Sequence, residues 1–356
     1  MKNLDTLIKQ LQALKEAEPK LRNRDLARKL HISEAELLSL SAGENVTRLE
    51  GDWKELLKGI KDMGYVMALT RNEHCVHERK GVYDNIEFYG GMHNMGVAVN
   101  PDIDLRFFMN EWVYALAVIM ERPNGELYSF QFFNKKGEAV HKIFSTPKSD
   151  IEAYHKLVEK FKAEHQLPFM EVDNTPYEEK TLHPDSEIDV ESFQQSWKEL
   201  KDTHDFFGLL RKYKVSRTQG FRLAPEGFTQ QIDNESVVKT LEKASETGTP
   251  IMCFLHSKGC VQIHSGPVKK LKFYGDWYNV LDPKFNLHLS MPAVRESWIV
   301  KKPTVDGIVT SLELFDKEGN QIVYFFGARK PGKPELETWR DIIAEVQKEH
   351  QLLNTA

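Results

Sequence analysis

The chain has 356 residues, of which 40% are hydrophobic and 28% are charged, the composition of an ordinary globular protein. Its formal net charge of −5 and its pI near 6.3 argue against broad, nonspecific binding to nucleic acid or to anionic membranes. The length suits two domains of moderate size, each able to bury its own core.

Cysteine usage and hydropathy indicate the compartment. The 3 cysteines, Cys75, Cys253 and Cys260, are few, odd in number and not spaced like metal ligands, so they fit a reducing cytoplasm better than a disulfide framework. The N-terminal segment is amphipathic and charged and lacks the apolar core of a signal peptide. No run approaches the roughly 18 apolar residues of a membrane span. We therefore expect a cytoplasmic protein that is not embedded in a membrane.

Helical patterns open and close each half of the chain. In the first half they cover residues 7–14, 25–30 and 34–40, and Ser33 precedes Glu36 at capping-box spacing. In the second half they cover residues 193–213 and a short stretch after Ser216. The halves end in predicted helices at residues 150–165 and 334–350.

Between these helices the sequence predicts antiparallel strands. Residues 113–120 with 127–133, and 297–302 with 310–316, are typical of hairpins because β-branched and aromatic runs are separated by turn residues. Helices segregated from antiparallel strands indicate an α+β fold. We expect an extended antiparallel sheet in each half, flanked by N-terminal and C-terminal helices.

Residues 197–217 are predicted to form an amphipathic helix. Trp197, Leu200, His204 and Phe207 would share one face, so a histidine stands where a leucine is expected. A neutral imidazole is a good metal ligand, and an apolar surround would keep water away from the metal. The alternative interpretation is a core histidine that is hydrogen-bonded to a backbone carbonyl.

An internal repeat organises the chain. Residues 67–90 match residues 252–275 without a gap, and both end in Phe-Tyr-Gly. Further along, Trp112 is paired with Trp298. A repeat of about 150 residues is far longer than solenoid periods, so it indicates two copies of one domain. The predicted boundaries are a first repeat at 1–171, an acidic linker at 172–192 and a second repeat at 193–356.

The polar residues of the two copies are not shared. His204 aligns with Leu21, and Arg106 aligns with His288. A site that is built once, from both halves, would produce this asymmetry, and a cleft between domains is a usual place for a ligand.

Several blocks resemble a known family. They are NPDIDLRFF (100–108), CVQIHSGPVKKL (260–271), NVLDPKFNLHL (279–289), WIVKKPT-DG (298–304, 306–307) and FFGARKPGKPE (325–335). They are similar to the bacterial, cytoplasmic HemS/ChuS-like haemin-degrading and haem-transport proteins, over nearly the whole chain. The resemblance implies that the two repeats hold one haem b in the cleft between them. It also implies that His204 is the axial ligand of the haem iron and that Arg106 lies on the opposite, distal side.

The chemistry of these two residues suits those roles. Haem iron that is held by one neutral histidine keeps its other axial position for water or dioxygen. The guanidinium of Arg106 cannot lose its charge, so it can donate hydrogen bonds to an iron-bound oxygen ligand. The alternative for Arg106 is a sheet-surface arginine in an ordinary ion pair.

The two haem propionates need cations. By resemblance the candidates are Arg217, Lys302 and Arg329, with Tyr324 as a weaker one. Each cation could equally be a solvated surface charge. If their run is a strand, only one of Lys302 and Lys301 can point inward.

Two functions remain open. The resemblance implies a haem-degrading enzyme, in which His204 holds the haem, an external electron donor reduces it and Arg106 orients dioxygen or peroxide. The porphyrin ring would then open and release iron for iron acquisition. The alternative is a non-catalytic carrier that stores haem and delivers it to a separate haem oxygenase. Expected partners are an inner-membrane haem importer and a reductase or haem oxygenase, with no nucleic acid, for a monomer or dimer.

Overall fold

A computed structural model describes residues 4–91, 94–178, 181–330 and 332–350. The chain divides into two compact units. Unit 1 holds the described residues up to Arg71, together with Glu78–Pro176 and His256–Gln262. Unit 2 holds Asn72–His77, Tyr177–Leu255 and the described residues from Ile263 onward. Within the described ranges, no helix has the length and apolar character needed to cross a lipid bilayer.

Unit 1 packs helices on an antiparallel sheet. Its helices are α1 (Leu4–Ala17), α2 (Asn23–Lys29), α3 (Glu34–Ser39), α4 (Trp53–Gly59) and α5 (Ile151–Phe161). Its strands are β1 (Val46–Leu49), β2 (Gly64–Arg71), β3 (Cys75–Val82, in unit 1 from Glu78), β4 (Ile86–Tyr89), β5 (Met95–Val99), β6 (Asp104–Phe108), β7 (Tyr114–Arg122), β8 (Gly125–Phe133) and β9 (Ala139–Ser149). The strand order is β1-β7-β8-β9-β2-β3, and β4-β5-β6 form a meander.

Unit 2 has the same plan. Its helices are α6 (Val190–Lys198), α7 (Asp205–Tyr213), α8 (Arg217–Arg222), α9 (Ser236–Thr247) and α10 (Glu337–Glu349). Its strands are β10 (Thr229–Ile232), β11 (Ile251–His256, in unit 2 up to Leu255), β12 (Cys260–Gly266, in unit 2 from Ile263), β13 (Leu271–Tyr274), β14 (Trp277–Leu281), β15 (Phe285–Ser290), β16 (Glu296–Thr304), β17 (Gly307–Phe315) and β18 (Gln321–Gly327). The strand order is β10-β16-β17-β18-β11-β12, with β13-β14-β15 as a meander.

The duplication and the α+β fold class are confirmed. From α2 to α5 and from α7 to α10, helices and strands follow one another in the same order. The predicted capping box of Ser33 is present, and Ser216 forms the same motif at the start of α8. His31 and Lys214, at equivalent positions, both have positive φ angles, 53° and 52°.

Two expectations from the sequence are corrected. Helices α4 and α9 were not predicted. The pairing of Trp112 with Trp298 is also wrong, because β7–β8 closes with Arg122 opposite Gly125 and β16–β17 closes with Thr304 opposite Gly307. In this register Trp298 corresponds to Leu116. The sequence match was misleading because a shift by an even number of residues preserves the face of a strand.

The sheet of unit 2 carries a hydrophobic layer on each face. Residues such as Leu312 pack with α9 and α10, whose Trp339 is fully buried. Alternate residues such as Val300 pack with α6–α8, including Phe221. At the end of β18, a Cβ on Gly327 would lie 2.6 Å from the Trp339 Cβ, so α10 packs this closely because the strand has no side chain there. Polar side chains on the α6–α8 face are therefore exceptions within a hydrophobic layer.

Unit 1 buries a hydrogen-bonded histidine. His141 Nδ1 lies 2.8 Å from the Thr70 hydroxyl, and its Nε2 lies 2.6 Å from the Tyr83 hydroxyl. Burial lowers the pKa of His141 to about 3. The folded protein therefore keeps this imidazole neutral at pH values where an unfolded chain would protonate it.

His141 predicts an acid dependence of stability. Because its folded-state pKa lies below the unfolded value of 6.5, the unfolded state binds more protons between pH 6.5 and about 3. Stability should fall as the pH drops through this window, by about 2 kcal/mol at pH 5. Urea unfolding of His141→Gln at pH 7 and pH 5 should show this loss reduced, while His155→Gln on α5 should behave like the unaltered protein. An equal pH dependence in His141→Gln would contradict the assignment.

Candidate functional site

His204 lies in a turn, not on a helix face. Helix α6 ends at Lys198 and α7 begins at Asp205, so the single helix predicted over residues 197–217 is wrong. In the turn that leads into α7, the Asp202 carboxylate accepts a hydrogen bond from the His204 backbone N–H at 2.8 Å, which favours a local turn over a continuing helix. The His204 side chain is 93% exposed. Both the apolar surround and the alternative of a core histidine are therefore wrong.

Asp202 also orients the imidazole. Its Oδ1 lies 2.5 Å from His204 Nδ1. The hydrogen bond from the His204 backbone N–H lowers the pKa of Asp202, and the imidazole and Arg329 lower it further. A carboxylate at Nδ1 favours the proton on that nitrogen and leaves the lone pair on Nε2, an arrangement that is also usual for histidines that bind metals.

The β16–β17 hairpin holds this turn in place. The backbone N–H of Val305 donates to the Lys201 carbonyl at 3.0 Å, and the indole of Trp197 donates to the Lys301 carbonyl at 3.0 Å. One turn into α7, the Phe207 side chain is 58% exposed. The segment therefore presents an imidazole and an aromatic ring at the surface of unit 2.

Behind this surface lies a buried carboxylate that joins two predicted residues. Glu313 on β17 accepts from Arg217 Nε at 2.6 Å and Nη2 at 3.0 Å, and from Lys302 Nζ at 2.7 Å. Ser311 and Gln321 complete its hydrogen bonds. Glu313 is 0% exposed and Lys302 is 1% exposed. Lys302 is thus the inward-facing member of its lysine pair.

The charges of this cluster depend on one another. Burial alone would raise the pKa of Glu313, but Arg217 and Lys302 lower it well below its usual value. Burial and the Arg217 charge lower the pKa of Lys302, despite the opposing effect of Glu313. With two cations on one carboxylate, the cluster carries one excess positive charge when all three groups are ionised.

Aromatic rings surround the cluster. The Arg217 guanidinium lies 5.2 Å from the ring centre of Phe206 and 5.7 Å from that of Tyr324. Tyr324 stacks on Phe254 with ring centres 5.0 Å apart. Burial raises the pKa of Tyr324 to about 12, so its hydroxyl stays protonated at neutral pH. The positive charge of Arg217 therefore lies against aromatic rings, which stabilise it by cation–π contacts.

Arg329 follows β18 and belongs to the same part of unit 2. Its Nη1 lies 3.5 Å from the carboxylate of Asp306, in the turn between β16 and β17, and its side chain is 16% exposed. Its charge also acts on Asp202. The predicted residues His204, Arg217, Lys302, Tyr324 and Arg329 therefore all lie in unit 2.

Arg106 belongs to unit 1. It lies on β6 between the buried residues Leu105 and Phe107, so its side chain is on the outer face of the β4-β5-β6 meander. It forms an ion pair with Asp104 and donates to the Leu105 carbonyl at 3.1 Å. Burial raises the pKa of Asp104, although the arginine opposes this shift. The arrangement is that of a sheet-surface arginine in an ion pair, with its side chain 33% exposed.

Unit 1 carries different charges at the positions equivalent to the cluster. Glu34, the first residue of α3, takes the place of Arg217 and pairs with Lys142 at 2.6 Å. Gln131 and Met120 take the places of Glu313 and Lys302. At these equivalent positions unit 1 therefore has one ammonium and one carboxylate, whereas unit 2 has two cations and one carboxylate, in line with the asymmetry predicted from the sequence.

Two residues of this site were missed from the sequence. Glu313 was detectable as the one charged residue in the strand pattern of residues 308–315. Asp202 was detectable because an aspartate two residues before a histidine favours a local side-chain turn over a continuing helix. Asp202 is hydrogen-bonded to the predicted His204, and Glu313 is hydrogen-bonded to the predicted Arg217 and Lys302.

Replacing the buried carboxylate should destabilise the protein. In Glu313→Gln, Lys302 and Arg217 lose their partner, and we expect a loss of about 3–5 kcal/mol in the free energy of unfolding. The double variant Lys302→Met/Glu313→Gln places in unit 2 the residues that unit 1 has at these positions, Met120 and Gln131. Its loss of unfolding free energy should therefore be smaller than the sum of the losses in the two single variants. Urea unfolding measures both, with exposed Glu318→Gln as the control. Additive losses would contradict the coupling.

Comparisons with known proteins identify the family of this chain. The family described as the haemin-degrading HemS.ChuX domain matches residues 31–161 and again residues 214–346. The hemin transport protein HemS of Yersinia enterocolitica is 38% identical over 326 residues, which cover 91% of this chain and 92% of that protein.

Two solved structures are similar over almost their full lengths. Holo-PhuS, a heme-binding protein from Pseudomonas aeruginosa, is 43% identical with a TM-score of 0.93, covering 99% of this chain and 100% of its own. ChuS, described as an E. coli heme oxygenase, is 32% identical with a TM-score of 0.85, covering 96% of this chain and 99% of its own. Since the family matches twice and covers more than half of the sequence, this chain belongs to the haemin-degrading HemS.ChuX domain family.

Proposed function

We propose that this protein binds haem and opens its porphyrin ring, releasing iron for iron acquisition in the cytoplasm. The observation that carries the proposal is the pairing of Asp202 with Nδ1 of the exposed His204, beside a cluster of rings and excess positive charge in unit 2. One histidine suffices to hold the iron because the porphyrin supplies four further nitrogen ligands.

The residues of unit 2 fit the chemistry of haem. His204 Nε2 is the ligand atom for the iron. The exposed ring of Phe207 and the stacked ring of Tyr324 offer apolar surface to a porphyrin. For the propionates we assign Arg217, whose Nη1 makes no hydrogen bond to a described residue, and Arg329, whose single ion pair is long.

Two further residues of unit 2 act on the propionates less directly. The hydroxyl of Tyr324 remains a donor at neutral pH because its pKa is raised. Lys302 is committed to Glu313 and is buried, so we assign it a contribution of charge rather than a direct contact. These roles differ because Lys302 is already paired with Glu313 inside the protein, whereas the ion pair of Arg329 with Asp306 is long.

We assign to Arg106 the role of a hydrogen-bond donor to the dioxygen or peroxide that would react with haem. The bound haem supplies the redox chemistry with dioxygen or peroxide, and reducing equivalents come from an external donor. The guanidinium of Arg106 donates hydrogen bonds, and the ion pair with Asp104 fixes its orientation. We expect Arg106 to matter for turnover more than for affinity.

A non-catalytic haem carrier is the second candidate. One relative is named as a hemin transport protein and another as a heme oxygenase, so the names of similar proteins support both candidates. A carrier would take haem from an inner-membrane importer and deliver it to a separate oxygenase. It needs His204 and the propionate contacts but has no use for Arg106 as a donor to oxygen.

The two candidates are separated by exposing the haem-loaded protein to a reductant in air, with catalase present to remove free peroxide. Degradation predicts that the Soret band decays and that ferrous iron appears in a chelator. A band that persists would favour the carrier. If haemin forms no Soret complex at all, haem binding itself is contradicted.

Replacing His204 with alanine should weaken haem binding. Loss of the axial nitrogen removes the iron–protein bond, so we expect an affinity loss of at least about tenfold and a shifted Soret band. His183→Ala, a change of another histidine in unit 2, is the control and should keep both properties. An unaltered spectrum in His204→Ala would remove this residue as the ligand.

Replacing Arg106 with alanine should leave haem affinity largely intact and slow the Soret decay by about tenfold or more, as expected when a hydrogen-bond donor to the reacting group is lost. The exposed Arg122→Ala is the matched control and should decay like the unaltered protein. Equal losses of binding and turnover would contradict the role assigned to Arg106.

A further inference from the structure

The β13-β14-β15 meander of unit 2 presents an aromatic outer face. Its inner residues, such as Tyr278 and Leu287, lie in the hydrophobic core. On the outer face Tyr274 and Trp277 are directly opposite each other in the ladder, and they are 56% and 37% exposed. The two rings therefore form an exposed aromatic pair on the sheet surface.

Positive charge and ordered polar groups lie beside these rings. The Lys272 ammonium lies 4.8 Å from the ring centre of Tyr274, and Lys269 and Lys270 are exposed just before it. Asn279, which is 3% exposed, donates to the Lys272 and Trp277 carbonyls and accepts from His288 Nδ1 at 2.6 Å. The backbone below the two rings is thereby held by a buried amide.

The equivalent face of unit 1 carries Arg106. In the two meanders, Asn279 opposite His288 corresponds to Val97 opposite Arg106. By the same register, Lys272 takes the place of Glu87, and Trp277 takes the place of Met95. Unit 2 therefore has a basic residue where unit 1 has an acidic one, and an indole where unit 1 has a thioether.

We propose that the outer face of the β13-β14-β15 meander is a second binding site, for a planar tetrapyrrole that carries carboxylates. The conjugated rings stack on Tyr274 and Trp277, and the carboxylates pair with Lys272. Aromatic stacking is tolerant of ligand identity, and the Lys272 ammonium beside Tyr274 favours an anion. The ligand class rests on the proposed function, which supplies two sources of this chemistry: a second haem, or the open-chain product of ring opening.

The test is a titration of the full-length protein with haemin and, separately, with biliverdin. Binding is followed by isothermal titration calorimetry and by absorbance. For at least one ligand, we expect an equivalent that does not depend on His204 and therefore persists in His204→Ala. Trp277→Ala and Lys272→Glu should each weaken this equivalent at least tenfold while leaving the His204-dependent Soret band unchanged. Binding of haemin alone would identify a second haem as the ligand, and binding of biliverdin would identify the product.

The matched control is Lys317→Glu, which makes the same charge change in the exposed turn after β17. If it weakens the second equivalent as much as Lys272→Glu does, the binding is nonspecific and the proposal is overturned. If neither haemin nor biliverdin binds to His204→Ala, the proposal of a second site is also overturned. Should Trp277→Ala not fold, Tyr274→Ser at an exposed position carries the same test. Failure of the proposed function can be told apart from failure of this proposal. In the first case the His204-dependent Soret band is absent, and in the second the additional equivalent of ligand is absent.

Discussion

The carboxylate of Glu313 is the constraint on which the rest of unit 2 depends. A fully buried carboxylate is tolerated only when it is paired and hydrogen-bonded, and here Arg217 and Lys302 pair with it from α8 and β16. This fixes the Arg217 guanidinium against the rings of Phe206 and Tyr324. The positive charge available to an anionic ligand is thus set by residues that the ligand need not touch.

The duplication explains how the two units can share a fold and differ in their buried charges. Both units use the same order of elements and the same capping boxes, so the backbone positions are inherited. The charges at these positions have diverged. Glu34 pairs with Lys142 in unit 1, and Arg217 pairs with Glu313 in unit 2. The same backbone therefore supports one ion pair in unit 1 and a three-residue charged cluster in unit 2.

The sequence predicted much of the fold, because strand alternation, turn residues and the Ser33 capping box are local signals that the repeat doubles. It failed where local hydrogen bonds compete with periodicity. The pattern from Trp197 to Phe207 is helical, yet the chain forms a turn in which Asp202 binds the His204 backbone N–H and the His204 side chain is exposed. The positions of Arg217 and Lys302 were found by resemblance. Their shared partner Glu313 was not, because pairing across a sheet depends on register rather than on spacing in the chain.

The central claim is that His204, oriented by Asp202, is the ligand through which unit 2 holds haem iron. Resonance Raman spectroscopy of the ferrous haem complex tests it most directly, because the stretching band between iron and imidazole reports the axial bond itself. The account predicts this band in the unaltered protein, its loss in His204→Gly and its return when imidazole is added. An undiminished band in His204→Gly without imidazole would contradict the account.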